Sequence, residues 1–108
     1  MTKADTPNLQ DKPGILSCDF EVRGKIPKEA FELFALAQAK IVGIRGYITR
    51  VSEDCYRGVL QGEGKVIEAF KQLIATAGEY VAAIKEFIIK NLKVIKEYTY
   101  EAFEVRAM

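Results

Sequence analysis

The chain has 108 residues, of which 49% are hydrophobic and 29% charged, and its formal net charge is +1. These values are typical of one globular domain with its own core, and they exclude a protein that binds nucleic acid through bulk positive charge. The chain contains no histidine, so any chemistry must use arginine, lysine, carboxylates, amides or the backbone. No group of cysteine and acidic residues has metal-ligand spacing, and we expect neither a metal nor a cofactor.

The first residues and the apolar runs bear on where the protein works. No apolar run is long enough to span a membrane, and the start lacks the pattern of a signal peptide. We therefore expect a cytoplasmic protein without membrane contact. Cys18 and Cys55 have no C-x-x-C spacing, and in that compartment we expect reduced thiols rather than a disulfide.

The N-terminal part of the chain divides into a tail and a first strand. Residues 1–13 contain prolines and few apolar side chains, which predicts a disordered or loosely docked tail. A single domain then covers residues 14–108. Apolar and polar residues alternate from Leu16 to Val22, which predicts a half-buried strand ending at Gly24.

Two helices are predicted from apolar residues at helical spacing. Pro27 suits the first position of the first helix and Gly43 its end. Its stripe comprises Ala30, Leu33, Phe34, Ala37 and Ile41. The second helix ends at Gly78, and its stripe comprises Val66, Ala69, Phe70, Leu73 and Ala77.

The other segments read as strands. Residues 45–51 and 56–62 predict a hairpin joined by a turn at SEDC. Residues 81–89 predict a further strand, KNLK a turn, and residues 94–105 a last strand. The order is βαββαβ with an additional C-terminal strand. It predicts a ferredoxin-like α+β fold, an α/β sandwich with both helices on one face of an antiparallel sheet.

Residues across this frame match a known family. The signature hydrophobic-x-G-x-V-Q-G-V-x-F-R of acylphosphatases is matched at Val22, Gly24, Ile26 and Phe31, with Lys25 also basic. A second signature, which begins with glycine and an aromatic residue, fits Gly46, Tyr47 and Gly62. Further agreement comes from AQAKIVGI (37–44), LQG (60–62), Tyr100 and Phe103. The chain thus resembles acylphosphatases, which hydrolyse the carboxyl-phosphate bond of acyl phosphates with this fold.

The departures from the family fall where its chemistry takes place. The resemblance implies an arginine that binds the phosphate and an asparagine that orients the attacking water, but these positions are Glu32 and Arg50 here. The former phosphate-loop positions are Lys25, Ile26, Pro27, Lys28 and Glu29, where Pro27-Lys28-Glu29 replaces Q-G-V. In the second signature, Asp54 replaces a glycine and Tyr56 a valine.

The size of these changes predicts that the family activity is lost. Glu32 places a like charge beside a dianionic substrate, and a unit pair at 4 Å interacts by roughly 4 kcal/mol at an effective dielectric of about 20. Pro27 also removes one N–H group from the loop. The sequence therefore predicts an acylphosphatase-like protein without the activity, acting as a small binding or protein-interaction module. The alternative is an active acylphosphatase in which Arg50 or Lys25 replaces the phosphate clamp.

Several roles remain open for these residues. Glu29 and Glu32 can complement the dipole of the first helix, or Glu32 can form an ion pair with Arg50. The cations can be solvated, or they can form a cleft for a small anion: Arg23, Lys25, Lys28 and Arg50.

The partners are less specified by the sequence. Tyr98 and Tyr100 could stack nucleic-acid bases, but the flanking glutamates favour packing in the core or at an edge. We expect a monomer that binds no nucleic acid, with a small anion or a protein as its unidentified partner.

Overall fold

The computed structural model describes residues 14–76 and 83–107. The strands are β1 (Ile15–Lys25), β2 (Arg45–Ser52), β3 (Cys55–Glu63), β4 (Ala83–Ile95) and β5 (Phe103–Arg106). The helices are α1 (Lys28–Val42) and α2 (Gly64–Ala75). The predicted element order is therefore confirmed. The predicted end of the second helix, at Gly78, lies outside the described residues.

The strands form one sheet in the order β4-β1-β3-β2-β5. The pairs β4–β1, β1–β3 and β3–β2 are antiparallel, whereas β5 runs parallel to β2. The predicted ferredoxin-like α+β fold, with two helices on a sheet, is therefore confirmed, but the sheet is mixed where the sequence predicted an antiparallel one. The cause is geometric: β2 and β4 run in opposite directions, so a chain that reverses after β4 arrives alongside β2 in the same direction.

The turn predicted at KNLK is also wrong, because β4 continues through it to Ile95. Asn91 adopts a positive φ of 54°, and the pairing of β1 with β4 shifts register between Ser17 and Asp19. Asparagine tolerates this conformation, so the turn-forming residue produces a β-bulge instead of a reversal. The Asn91 side chain donates a hydrogen bond to the Asp19 carboxylate at 2.6 Å.

The segment between β4 and β5 lies against the helix-free face of the sheet. The Gln61 amide donates to the Thr99 hydroxyl at 2.7 Å, and the Thr99 N–H donates to the Gln61 oxygen at 2.9 Å. Tyr100 packs on Tyr47 with ring centroids 5.8 Å apart. The last strand predicted over residues 94–105 is therefore wrong, since only Phe103–Arg106 pairs with β2. Tyr98 and Tyr100 are half-buried on this face rather than in the core.

The core lies between the sheet and the two helices. The apolar residues of β1 are buried as predicted: Leu16, Cys18, Phe20 and Val22. Helix α2 contributes Ile67, Phe70 and Ile74. Neither helix of the described ranges, 14–76 and 83–107, is long and apolar enough to cross a membrane.

Helix α1 turns a different face to the core from the one predicted. Its buried residues are Phe31, Ala35 and Ala39, whereas Ala30 and Ala37 are exposed. Leu33 and Ile41 are 69% and 75% exposed. The helix carries apolar residues on two opposite faces, and periodicity alone does not say which of them meets the sheet. Gly43 ends the helix as predicted, with a φ of 86°.

Candidate functional site

The β1–α1 connection is held tightly against the neighbouring strand and hairpin. Gly24 has a φ of 151°, and a Cβ there would lie 2.0 Å from the carbonyl oxygen of Ala83. The Gly24 N–H donates to the carbonyl of Asp54 at 3.1 Å. Because only glycine fits this close approach, the loop that follows has a fixed starting point. Within it, Ile26 is buried in the core and Lys25 is exposed.

The start of α1 has backbone donors but no side-chain cap. Pro27 is the N-cap in extended conformation, one position before the predicted one, and helical bonding begins with the Phe31 N–H donating to the Pro27 carbonyl at 2.9 Å. The N–H groups of Lys28, Glu29 and Ala30 come before that bond along the chain and therefore have no acceptor within the helix. Glu29 is the acidic residue of the first turn, where it complements the helix dipole as predicted. Glu32 lies beyond that turn.

Glu32 is fixed by two neighbours. The Tyr56 hydroxyl donates a hydrogen bond of 2.8 Å to one carboxylate oxygen, and the Lys28 ammonium lies 3.5 Å from the other. The Glu32 side chain is 15% exposed, and Tyr56 is fully buried. The Tyr56 ring packs against Phe31 with centroids 5.0 Å apart. Burial, followed by the hydrogen bond to Glu32, raises the pKa of Tyr56 well above its usual range.

Arg50 lies directly across the β2–β3 pair from Tyr56. Its Nη2 donates to the carbonyl of Glu53 at 3.4 Å, and its Nε is buried with no hydrogen-bond partner among residues 14–76 and 83–107. In the same part of the chain, no ion pair joins Arg50 to Glu32 within 4.0 Å. The Glu32 carboxylate is bound by Lys28 and Tyr56 instead, so the ion pair with Arg50, one of the two roles left open for Glu32, does not form.

Lys28, Glu32 and Arg50 come together in one open cleft of about 620 Å³. The other lining residues are Val51, Ser52, Glu53, Val105, Arg106 and Ala107. Two cations, Lys28 and Arg50, and two carboxylates therefore line it, whereas the Arg106 guanidinium lies over the Tyr47 ring on the helix-free face, 4.3 Å from its centre.

Arg23, one of the predicted cleft cations, lies outside the cleft. It lies on the helix-free face, where its guanidinium binds the Glu21 carboxylate. Arg57 Nε and Lys90 Nζ approach the same carboxylate at 3.3 and 3.7 Å. The hydrogen bond from Arg23, with the charges of all three cations, lowers the pKa of Glu21. Neither Arg23 nor Lys25 lines the cleft beside α1.

The two thiols offer no reactive group. Both cysteines are free and buried, and Cys55 begins β3 instead of lying in a turn. Burial raises the pKa of Cys18 to about 12 and also raises the pKa of Cys55. At neutral pH both are therefore protonated. Among the described residues, no three histidine, cysteine or acidic side chains cluster so that they could hold a metal.

Tyr56 and Arg106 belong to this region although sequence reasoning gave neither a role. The replacement of the family's valine by Tyr56 could have indicated that this residue belongs to the site. Strand alternation and hairpin register place residue 56 opposite residue 50. Arg106 had no comparable signal, since its position depends on β5 pairing with β2.

Comparison with known proteins agrees with the fold. The acylphosphatase family profile matches residues 18–105. The chain is 27% identical to Acylphosphatase-1 of Drosophila melanogaster over 83% of this chain and 75% of that protein. It is 24% identical to Acylphosphatase-2 of Bos taurus over 83% of this chain and 91% of that protein.

Among solved structures, the acylphosphatase from Bacillus subtilis superposes with a TM-score of 0.72 at 12% identity, covering 84% of this chain and 98% of that one. The acylphosphatase from Coxiella burnetii superposes with a TM-score of 0.67 at 21% identity, covering 86% and 94%. The profile match extends over most of the domain, and the fold agrees with it. The chain belongs to the acylphosphatase family.

Proposed function

We propose that this protein does not hydrolyse acyl phosphates and acts as a small binding module, with the cleft beside α1 as its binding surface. The observation that carries the proposal is the position of Glu32. By resemblance to the family signature, Glu32 stands at the arginine position, and its carboxylate is held by the Tyr56 hydroxyl at 2.8 Å and the Lys28 ammonium at 3.5 Å. A negative charge so fixed opposes a phosphate dianion.

The magnitudes favour loss of activity. Removing one donor to developing charge typically costs about 3–4 kcal/mol, which corresponds to roughly 10²–10³ in rate. Here the donor is replaced by a like charge, and the water-orienting amide is replaced by Arg50. The two effects need not add, but each alone is large.

The alternative is an active enzyme with a substitute clamp. Of the two candidate clamps, Arg50 lines the cleft and Lys25 does not. The Arg50 Nη2 is directed to the Glu53 carbonyl, and its Nε is buried. A clamp formed by Arg50 would therefore require its side chain to move.

The binding partner that fits the cleft is anionic but also carries a hydrogen-bond donor. Arg50 and Lys28 attract a negative group, whereas Glu32 and Glu53 disfavour one without a donor. A small carboxylate with an amine or hydroxyl group meets both requirements, as does an exposed segment of a protein with mixed charges.

Restoring the family residues tests the proposal. Hydrolysis of benzoyl phosphate is compared between the unaltered protein and the Glu32→Arg/Arg50→Asn variant. The control Glu63→Arg/Lys65→Asn makes the same change of charge at an exposed pair, whose charged atoms lie 3.9 Å apart. We expect hydrolysis only in the first variant.

The other outcomes are also informative. Hydrolysis by the unaltered protein would contradict the proposal. If neither the unaltered protein nor the first variant hydrolyses the substrate, activity is absent as proposed. Restoring residues 32 and 50 is then not sufficient, and the Pro27-Lys28-Glu29 segment also prevents hydrolysis.

A further inference from the structure

The solvent-facing side of α1 is unusually apolar for an exposed helix. Leu33 and Ile41 are 69% and 75% exposed, and they are two of the three large hydrophobic residues exposed among the described residues. Ala37, between them, and Ala30, about one turn before Leu33, are also exposed on the same side of the helix. We define Ala30, Leu33, Ala37 and Ile41 as the outer stripe. It lies opposite the buried residues of α1 and is therefore not part of the core.

The charges beside the outer stripe are arranged asymmetrically. Glu29 lies at its N-terminal end and Lys40 near its C-terminal end, and both are exposed. Neither takes part in an ion pair within 4.0 Å among residues 14–76 and 83–107. A helix with this charge order is complementary to a copy of itself that runs in the opposite direction.

We propose that two copies of this protein associate through antiparallel contact of their α1 helices along the outer stripe. With the twofold axis level with Ala35, Leu33 lies level with Ala37 of the second copy. Glu29 then lies within about 1.5 Å of the level of Lys40 of the second copy, the rise of one residue. A large side chain meets a small one, and opposite charges meet at both ends.

The arrangement has the properties of a closed twofold interface. The same patch serves both copies, so each contact occurs twice and no patch is left for a third copy. The stripe is short, because α1 has 15 residues, and the association is therefore weak and concentration-dependent. This dimer replaces the monomer expected from the sequence and does not depend on the proposed loss of activity.

Sedimentation velocity of the full chain, over a concentration series from micromolar to millimolar, tests the association. We expect a monomer–dimer equilibrium whose dissociation constant rises by about tenfold or more in Leu33→Gln. The matched control is Val94→Gln, which replaces another exposed apolar residue, 60% exposed on β4. It should leave the equilibrium unchanged. Thermal melting verifies that both variants fold.

Charge exchange tests the antiparallel arrangement. Glu29→Lys and Lys40→Glu should each weaken the dimer, and the variant with both changes should restore it, because opposite charges face each other again. A protein that stays monomeric throughout the series would overturn the proposal. So would a dimer unaffected by Leu33→Gln, a dimer lost in Val94→Gln, or a double exchange that restores nothing.

Discussion

At the scale of single residues, Tyr56 determines the state of the candidate site. Its hydroxyl reaches Glu32 at 2.8 Å from a fully buried position, while its ring packs on Phe31. A valine, which the family signature has at this position, could not donate that hydrogen bond. In this chain the carboxylate at position 32 therefore has a hydrogen-bond donor that the family signature residue at position 56 could not supply.

Removal of the hydroxyl should destabilise the protein. Tyr56→Phe keeps the ring and removes the donor to a carboxylate that is partly exposed, for which we expect a loss of about 1–2 kcal/mol in the free energy of unfolding. Urea denaturation measures this, with Tyr100→Phe as the control on the helix-free face. Equal stability of the Tyr56→Phe variant and the unaltered protein would show that the hydrogen bond contributes nothing.

Glu21 should make stability depend on pH in acid. The Arg23 hydrogen bond, with the nearby cations, lowers the pKa of Glu21 in the folded state below its ordinary value of 4.5. Its contribution is thus present above that value and is lost as pH falls through the folded pKa. Glu21→Gln should be less stable than the unaltered protein at neutral pH, and the difference should shrink in acid. Urea denaturation at several pH values follows it; a constant difference would contradict this assignment.

At the scale of elements, the end of α1 depends on a left-handed residue. Gly43 has a φ of 86° and donates its N–H to the Ala39 carbonyl at 2.8 Å, and a Cβ there would meet no atom within 4 Å. The cost of a substitution at this position is therefore conformational. It follows from the backbone alone and not from steric overlap.

Gly43→Ala should lower the free energy of unfolding by about 1 kcal/mol, since alanine is strained in this conformation. Gly43→Asn should cost less, because asparagine tolerates it better. Thermal and urea unfolding of the two variants measure the difference. An alanine variant as stable as the asparagine variant would mean that another residue ends the helix.

Local sequence patterns predicted where helices and strands occur better than which side of each element packs against the core. The strand alternation of β1 and the stop at Gly43 follow from local chemistry, and both are confirmed. Helix α1 has apolar residues on two sides, so the sequence could not say whether Phe31 or Leu33 meets the sheet. The KNLK segment contains turn-forming residues, but pairing with β1 continues through Asn91 because a bulge accommodates it.

At the scale of the whole molecule, long-range pairing positions part of the site. Arg106 lines the cleft only because β5 pairs with β2, and the predicted last strand covered a different range. The helix-free face carries its own contacts: Arg45 lies 3.8 Å from the centre of the Tyr98 ring, and Arg106 lies 4.3 Å from that of Tyr47. Such contacts depend on chain crossings that no local pattern encodes. Family resemblance supplied the positions of Glu32 and Arg50, and periodicity could not have done so.

The first measurement to make is the rate of benzoyl phosphate hydrolysis by the unaltered protein, because it shows whether the site is inactive. We expect a rate indistinguishable from spontaneous hydrolysis in the same buffer at every protein concentration, because the Glu32 carboxylate, held by Tyr56 and Lys28, opposes the substrate phosphate. A rate that rises in proportion to protein and saturates with substrate would contradict it. The phosphate would then have to be bound by other groups, with Arg50 the first to replace.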